Sequence, residues 1–511
     1  MTGPSERIGV VGAGTMGSGI AQIACLGGFE TLLHDPVPEA LAAGEERTHA
    51  ALARGAERGN WSEEEAAGAA ARLRAVEKLG DLSGCELIVE AAPEDLSTKQ
   101  ELFGLLATVC GSDAVLATNT SSLSVAAIAA GVPDPHRVVG MHFFNPPARM
   151  KLVEVVAGPE SSDDALLLAT EAAEQMGRTP VRAADEIGFL ANRCARPFSL
   201  EALRLSGDAI AGFETIDRIC RIGGGFRMGP FELMDLVGVD VNFEVAKSFW
   251  EQSFHEPRWQ PHPIQARMVA AGRLGRKTGH GYYDYSGERH RPEDPRPQPD
   301  TDRGTPGSGA GDVPRSGEVP PVEIVGEGEL AEQLRERAGG DGERPARLIL
   351  LAEGSRAELD EAGAAVGFHL LPPLEEATLV ELNAGEFTPQ DSRDAAERFF
   401  GALGLHCEWV GDAPGLVLGR IVCQLVNEAA FALQRGVGSA EDIDTALRLG
   451  FNYPHGPLEW GDAIGLDHVL AVLDALREEL GEERYRAAPL LRQMVGEGRL
   501  GRSTGRGFLF Y

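Results

Sequence analysis

Between residues 6 and 183, short apolar runs recur along the chain: RIGVV, TLLHD, ELIVEAA, AVLATNT, RVVGMHF and KLVEVV, with amphipathic stretches between them. Apolar runs that short suit strands buried on both faces of a sheet, and the amphipathic stretches suit helices that cover it. The alternation predicts an α/β domain over 1–184, a mostly parallel Rossmann-type sheet. From about 186 the pattern changes to helical segments broken by Gly and Pro, such as FLANRCARPFSLEALRL and the run through GPFELMDLVG. Residues 185–285 therefore read as a separate all-α domain. Residues 286–321 are rich in Pro, Gly and charge and nearly devoid of bulky apolar side chains. Such a stretch cannot bury enough surface to order itself, and a flexible linker is predicted.

Beyond the linker the chain repeats itself. GPFELMDLVGVD at 229 returns as GPLEWGDAIGLD at 456, an offset of 456 − 229 = 227. LGRKTGHGYYDY at 274 returns as LGRSTGRGFLFY at 500, an offset of 226. VGMHFFNPPARMKLVE, with His142 and Glu154, returns as VGFHLLPPLEEATLVE, with His369 and Glu381, again at 227. A constant offset over so long a stretch marks a shortened duplication. It predicts a degenerate Rossmann-like domain over 322–411 and a second helical domain over 412–511.

Composition narrows the function. The formal charge of −31 in 511 residues, with no Lys/Arg cluster, argues against a nucleic-acid partner, since polyanionic backbones are bound through clustered cations. No apolar run approaches the roughly 18 residues of a membrane span. The N-terminus enters a strand-like run too soon to accommodate a secretory signal. Seven scattered cysteines without CxxC read as reduced, buried thiols, and twelve histidines show no paired ligand spacing. A cytoplasmic protein with no membrane partner and no metal is expected.

The candidate chemistry starts at IGVVGAGTMGSGIA, where Gly12, Gly14 and Gly17 form GxGxxG directly after a strand and at the opening of a helix. The first glycine permits the tight turn, the second lets backbone approach a pyrophosphate, and the third lets helix and strand pack closely. The helix N-terminus supplies free N–H groups to the phosphates. Asp35 closes the second strand, where a carboxylate accepts from both ribose hydroxyls and repels a 2′-phosphate, so NAD rather than NADP is predicted. Oxidising an alcohol also needs a base for the hydroxyl proton, and histidine titrates near neutrality. His142 ends one predicted strand and Glu154 ends the next. Antiparallel pairing through the NPPARM turn would set them side by side, with Glu154 fixing the imidazole tautomer.

In this order, GAGTMGSGIA, VEAAPED, NTSSLSV, HFFNP, KLVEVV, FLANR, GPFELMDLVG and LGRKTGHGYYDY resemble the L-3-hydroxyacyl-CoA dehydrogenase family across nearly all of residues 5–285. The resemblance implies that His142 is the catalytic base, that Glu154 is its partner, and that Ser121 bonds the histidine and the substrate oxygen region. It implies that Asn192 binds the substrate carbonyl or hydroxyl. Cofactor contacts are implied for Met16, beside the three loop glycines, and for Asn119, Ser121 and Asn145. Glu94 and Lys99 match positions around the nicotinamide ribose and phosphates. The substrate is expected to be an acyl-CoA, with Arg54 of the 47, 54 and 58 arginine series as the candidate for its phosphates.

The linker and repeat resemble the long bacterial form of the family, found in phenylacetate degradation, which implies 3-hydroxyadipyl-CoA as substrate. 3-Hydroxybutyryl-CoA, or general fatty acyl β-oxidation, is the alternative, and a non-catalytic NAD-binding scaffold is the alternative of another class. Short members dimerise through the helical domain. The second helical copy is therefore expected to complete an intrachain pseudo-dimer, with RIVCQLVNEAAFAL as packing helix, and a homodimer of the whole chain is a further possibility.

In the second copy, VEIVGEGELAEQL keeps Gly326 and Gly328, with Ala331 in the third place, and reads as a remnant of the glycine loop. Glu327 and Glu329 place negative charge where a pyrophosphate would sit. The ribose-binding aspartate has no counterpart, Asn192 corresponds to Gly419, and NTSSL has no clear partner beyond the nearby Ser355. The expectation is a non-catalytic relic.

Overall fold

The computed structural model describes residues 6–295, 320–338 and 345–511. Most of the predicted linker, 296–319, lies outside the described residues. The chain divides into two compact units, Met1–Arg193 with Arg435–Phe451, and Cys194–Gln434 with Asn452–Tyr511.

The first unit holds an eight-stranded sheet built from β1 (Arg7–Val11), β2 (Glu30–His34), β3 (Leu73–Val76), β4 (Leu87–Glu90), β5 (Val115–Thr118), β6 (Val138–Phe143), β7 (Leu152–Ala157) and β8 (Thr179–Ala184). The strand order is β3-β2-β1-β4-β5-β6-β7-β8, and every pair is parallel except β6 with β7. β4, β5 and β6 are buried at every position, as their unbroken apolar runs require in a sheet covered on both faces. The strands without a clear apolar run, β3 (LRAV) and β8 (TPVRAA), are the two edges of the sheet. An edge strand needs no continuous buried run, so its sequence signal is weak.

The second unit holds a five-stranded sheet: β9 (Val322–Val325), β10 (Ala346–Leu350), β11 (Val366–His369), β12 (Leu379–Ala384) and β13 (His406–Trp409), in the order β13-β12-β11-β10-β9. β11, β12 and β13 repeat β6, β7 and β8, down to an antiparallel pair in which His369 faces Glu381 as His142 faces Glu154. β9 lies beside β10, and the helix Glu329–Arg337 connects the two. In the first sheet β4 and β5 have that relation through the helix Leu96–Val109, whereas β1 lies one strand further out. The GEG stretch after β9 thus occupies the place of the AAPED turn after β4. It is not a decayed glycine loop: no counterpart of β1–β3, with the glycine loop and Asp35, occurs among the described residues of the copy.

The helical copies also match. Asp235 accepts from Tyr282 N and Tyr283 N, and Asp462 accepts from Phe508 N and Leu509 N. A Cβ on Gly281 or on Gly507 would lie 1.9 Å from the corresponding carboxylate oxygen, which is why both repeats of the LGR motif carry a glycine before the two residues whose amides the carboxylate holds, Tyr282–Tyr283 in one and Phe508–Leu509 in the other. Within the second unit the equivalent helices Arg196–Gly207 and Leu418–Gln434 pack on each other. Arg420 joins them by bonding Glu201 at 3.0 Å, and Arg258, on the turn Pro257–Trp259 of the first copy, bonds Glu428 at 2.8 Å and lies 3.8 Å above the Phe431 ring. The start of the linker is tied down too, with Asp294 on Arg221 and His290 on Glu232. No described helix is long and apolar enough to cross a membrane.

Candidate active site

The glycine loop follows the carboxyl end of β1, near the middle of the first sheet. Gly12 has φ +97°, and a Cβ there would lie 2.5 Å from Ala91 O. A Cβ on Gly17 would lie 1.7 Å from Gly12 O, so the helix Thr15–Leu26 crosses the strand end at a distance only glycine allows. Gly14 faces open space, with nothing within 4 Å of an added Cβ, and its neighbour Met16 packs inward against the core. Asp35 at the end of β2 accepts from Ala13 N at 2.8 Å and Val37 N at 3.0 Å, fixing its carboxylate at the loop. Arg47 donates to Ala13 O. Arg54 and Arg58 stay exposed, and Arg54 has no polar partner among the described residues. An unobstructed Gly14, a helix N-terminus without a side-chain cap and the Asp35 carboxylate held beside the loop fit an NAD pyrophosphate and adenosine.

A second cluster surrounds the turn after β4. Glu90 is wholly buried and receives Lys99 Nζ at 2.5 Å, Thr118 Oγ1 at 2.7 Å and Ala92 N at 2.6 Å. Lys99, 1 % exposed, also reaches Glu94 at 3.4 Å. Its charge is thus shared between two carboxylates. Glu94 accepts from Thr120 Oγ1 at 2.6 Å, Ser121 N at 3.0 Å and Ser122 Oγ at 3.0 Å, and holds the NTSSL loop. Hydrogen bonds from Thr120, Ser121 and Ser122, with Lys99 nearby, outweigh burial and keep the Glu94 carboxyl below its ordinary range. Ser121 approaches Glu94 with its Oγ at 3.5 Å and has no hydrogen bond to His142 among the described residues. The next helix, Val125–Ala129, is capped by Ser124 and by Asp185, which accepts from Val125 N and Ala126 N.

His142 and Glu154 face each other across β6 and β7, with Nδ1 2.6 Å from Glu154 Oε2. Glu154 Oε1 accepts from Leu190 N at 2.9 Å and Ala191 N at 2.8 Å. One buried carboxylate thereby ties the histidine to the start of the short helix Ala191–Cys194, which carries Asn192. Asn119 Oδ1 accepts from Phe143 N at 2.8 Å, locking the end of β5 to the strand beside His142. The imidazole packs against Phe144 at 4.5 Å and Phe189 at 5.9 Å, and its Nε2 has no partner among the described residues. Asn145 is exposed and makes no side-chain hydrogen bond among the described residues.

Sequence reasoning overlooked Glu90, Thr120, Asp185 and the aromatic wall. Their signals are single polar or aromatic residues whose roles depend on strands brought together from distant parts of the chain.

The second copy differs where it counts. Glu381 gives one oxygen to Val417 N (2.7 Å) and the other to Leu418 N (3.0 Å), the counterparts of Leu190 and Ala191, and keeps none for histidine. Burial pushes its carboxyl up to about 8. His369 turns to His468, with the two Nε2 atoms 3.1 Å apart. A Cβ on Gly419, at the place of Asn192, would lie 2.3 Å from His369 Cε1, so this histidine occupies the space the asparagine would need. Ser355 caps the helix Arg356–Leu359, and Asp412 accepts from Arg356 N and Ala357 N. Ser355 therefore stands for Ser124, and the same register puts Ala352 at the place of Ser121.

A Rossmann sheet with a GxGxxG loop after β1, an aspartate at the end of β2 and a buried histidine–carboxylate pair is the architecture of a dinucleotide-dependent dehydrogenase. The chain belongs to the 3-hydroxyacyl-CoA dehydrogenase family. The model of the family's NAD-binding domain matches residues 7–186, and that of its C-terminal domain matches twice, over 188–285 and 415–511. The 3-hydroxyadipyl-CoA dehydrogenase of Escherichia coli K12 is 37 % identical over 96 % of this chain and 97 % of its own. The 3-hydroxybutyryl-CoA dehydrogenase of Mycobacterium tuberculosis H37Rv is 39 % identical over 56 % of this chain and all of its own. A crystal structure of a 3-hydroxybutyryl-CoA dehydrogenase from Escherichia coli K12 superposes with a TM-score of 0.83 at 35 % identity, covering 97 % of this chain and 99 % of that one.

Proposed function

We propose that the protein oxidises the 3-hydroxyl of an L-3-hydroxyacyl-CoA to the 3-ketone with NAD. The carrying observation is the buried His142–Glu154 hydrogen bond at 2.6 Å, which engages Nδ1 and leaves Nε2 to act. With Nδ1–H donated to Glu154, the lone pair lies on Nε2, which takes the hydroxyl proton; the carboxylate then stabilises the imidazolium. The chemistry that bound NAD would supply is a hydride acceptor for C3. Gly12, Gly14, Met16, Gly17 and Asp35 would hold its adenosine and phosphate part, and Glu94, Asn119, Ser121 and Asn145 its nicotinamide part. Lys99 acts through Glu94. Asn192 and Ser121 supply donors for the substrate oxygen, where negative charge develops, and Arg54 remains the candidate for the CoA phosphates.

The full-length likeness to the 3-hydroxyadipyl-CoA enzyme supports 3-hydroxyadipyl-CoA as substrate; a place in phenylacetate degradation, in the cytoplasm, is part of the same proposal. The relatives named for 3-hydroxybutyryl-CoA support the second reading. Comparing kcat/KM for the two CoA esters, by NADH absorbance, decides between them; no turnover with any 3-hydroxyacyl-CoA despite NADH binding would leave the scaffold reading. The packing of the helix Arg196–Gly207 on Leu418–Gln434 supports an intrachain pseudo-dimer. Light scattering tests whether whole chains pair further.

A further inference from the structure

The helix Ala440–Gly450 belongs by sequence to the second helical copy, yet it lies on β7 and β8 of the first unit. Val437 O accepts from Ala184 N, at the end of β8, at 2.8 Å. A Cβ on Gly438 would lie 2.9 Å from Leu190 Cδ1. One on Gly450 would lie 2.8 Å from Leu152 Cδ2, 3.4 Å from Phe144 Cε1 and 3.6 Å from Ala191 Cβ. The Phe451 ring meets Phe144 edge-on at 6.4 Å. Leu190 and Ala191 are the residues whose amides hold Glu154, and Phe144 is the ring packed on His142. One segment therefore backs both members of the pair.

The same contact recurs at the relic pair, with the copies exchanged. Gly411 N donates to Ile210 O at 2.7 Å, and 411 − 227 = 184 while 210 + 227 = 437. Gly223, at 450 − 227, would place a Cβ 3.0 Å from Leu418 Cδ2 and 3.3 Å from Leu379 Cβ, the counterparts of Ala191 and Leu152. Each sheet's histidine–glutamate pair is thus backed by the helix that the other copy encodes.

We propose that residues 437–451 are a positioning element for the catalytic pair, so that the second half is needed for the first half's chemistry although its own pair is inert. This rests on the reading of His142 as base. A catalytic hydrogen bond tolerates little displacement, and Gly438 and Gly450 bring the segment into direct contact with the residues that fix it. The relic site provides an internal control, because the same overpacking can be placed behind an inert pair.

Gly450→Val and Gly223→Val are compared in the full chain. Gly450→Val is expected to lower kcat at least tenfold, leave the acyl-CoA KM within about threefold, and move the acid limb of the kcat–pH profile; Gly223→Val is expected to leave kcat within twofold. Phe451→Ala, which opens the same wall, should act in the same direction more weakly and serves if Gly450→Val does not fold. Equal losses in the two glycine variants, or an unmoved pH profile in both Gly450→Val and Phe451→Ala, would overturn the proposal. The His142 imidazole titration, followed by NMR, reads the positioning effect independently. A wild-type chain that turns over no 3-hydroxyacyl-CoA would sink the functional reading, whereas a titration unchanged by Gly450→Val and Phe451→Ala would sink this one.

Discussion

Glu154 gives one oxygen to two backbone amides and the other to His142, whereas Glu381 spends one oxygen on each amide. Two sites with the same residues in the same cross-strand register thus reach opposite states. His142→Ala is expected to lower kcat by about 10² to 10⁴; His369→Ala should leave kcat within twofold, and comparable losses in steady-state assays would refute the relic assignment. Asp35→Ala removes the proposed ribose acceptor and the tie to Ala13 N. It should raise the KM for NAD and narrow the preference over NADP, as initial rates with each cofactor will show. Burial pushes His468 down to about 4, from 6.5, and His369 well below its ordinary value. The unfolded chain then binds more protons than the folded one between those limits, so stability rises with pH across about 4 to 6.5 and is lost as pH falls through it. The slope reaches about 1.4 kcal/mol per pH unit for each imidazole. His468→Gln should flatten Tm against pH in that window, and an unaltered slope would count against the buried pair.

Elements show where sequence patterns suffice and where they mislead. The glycine loop is legible because each glycine answers a local demand: a positive φ at Gly12, an open approach at Gly14, a close crossing at Gly17. Gly17→Ala should cost about 1–3 kcal/mol or more by overpacking the crossing, read as a fall in Tm with weakened NADH binding. The GEG after β9 also satisfies a glycine pattern, but only strand order shows that it follows the counterpart of β4. Spacing along a chain does not say which strand a turn belongs to. The edge strands β3 and β8 escaped notice for the converse reason, having too little burial to leave a pattern.

For the whole molecule, the two helical copies meet through charges removed from water. Arg258 is buried between Glu428 and Phe431, so Arg258→Ala should destabilise the protein by about 3–5 kcal/mol, measured by denaturant unfolding, by stripping a cation from a buried carboxylate. The sequence by itself determined the fold class, the duplication, the dinucleotide loop and the His142–Glu154 pair, because periodicity, glycine spacing and strand register are local properties of a chain. Only the tertiary structure decided that Lys99 faces carboxylates, that His369 has left Glu381 for His468, and that a helix from the second copy stands behind the first copy's pair. Those outcomes depend on which distant groups compete for one buried oxygen or one packing surface, and that competition exists only once the chain has folded.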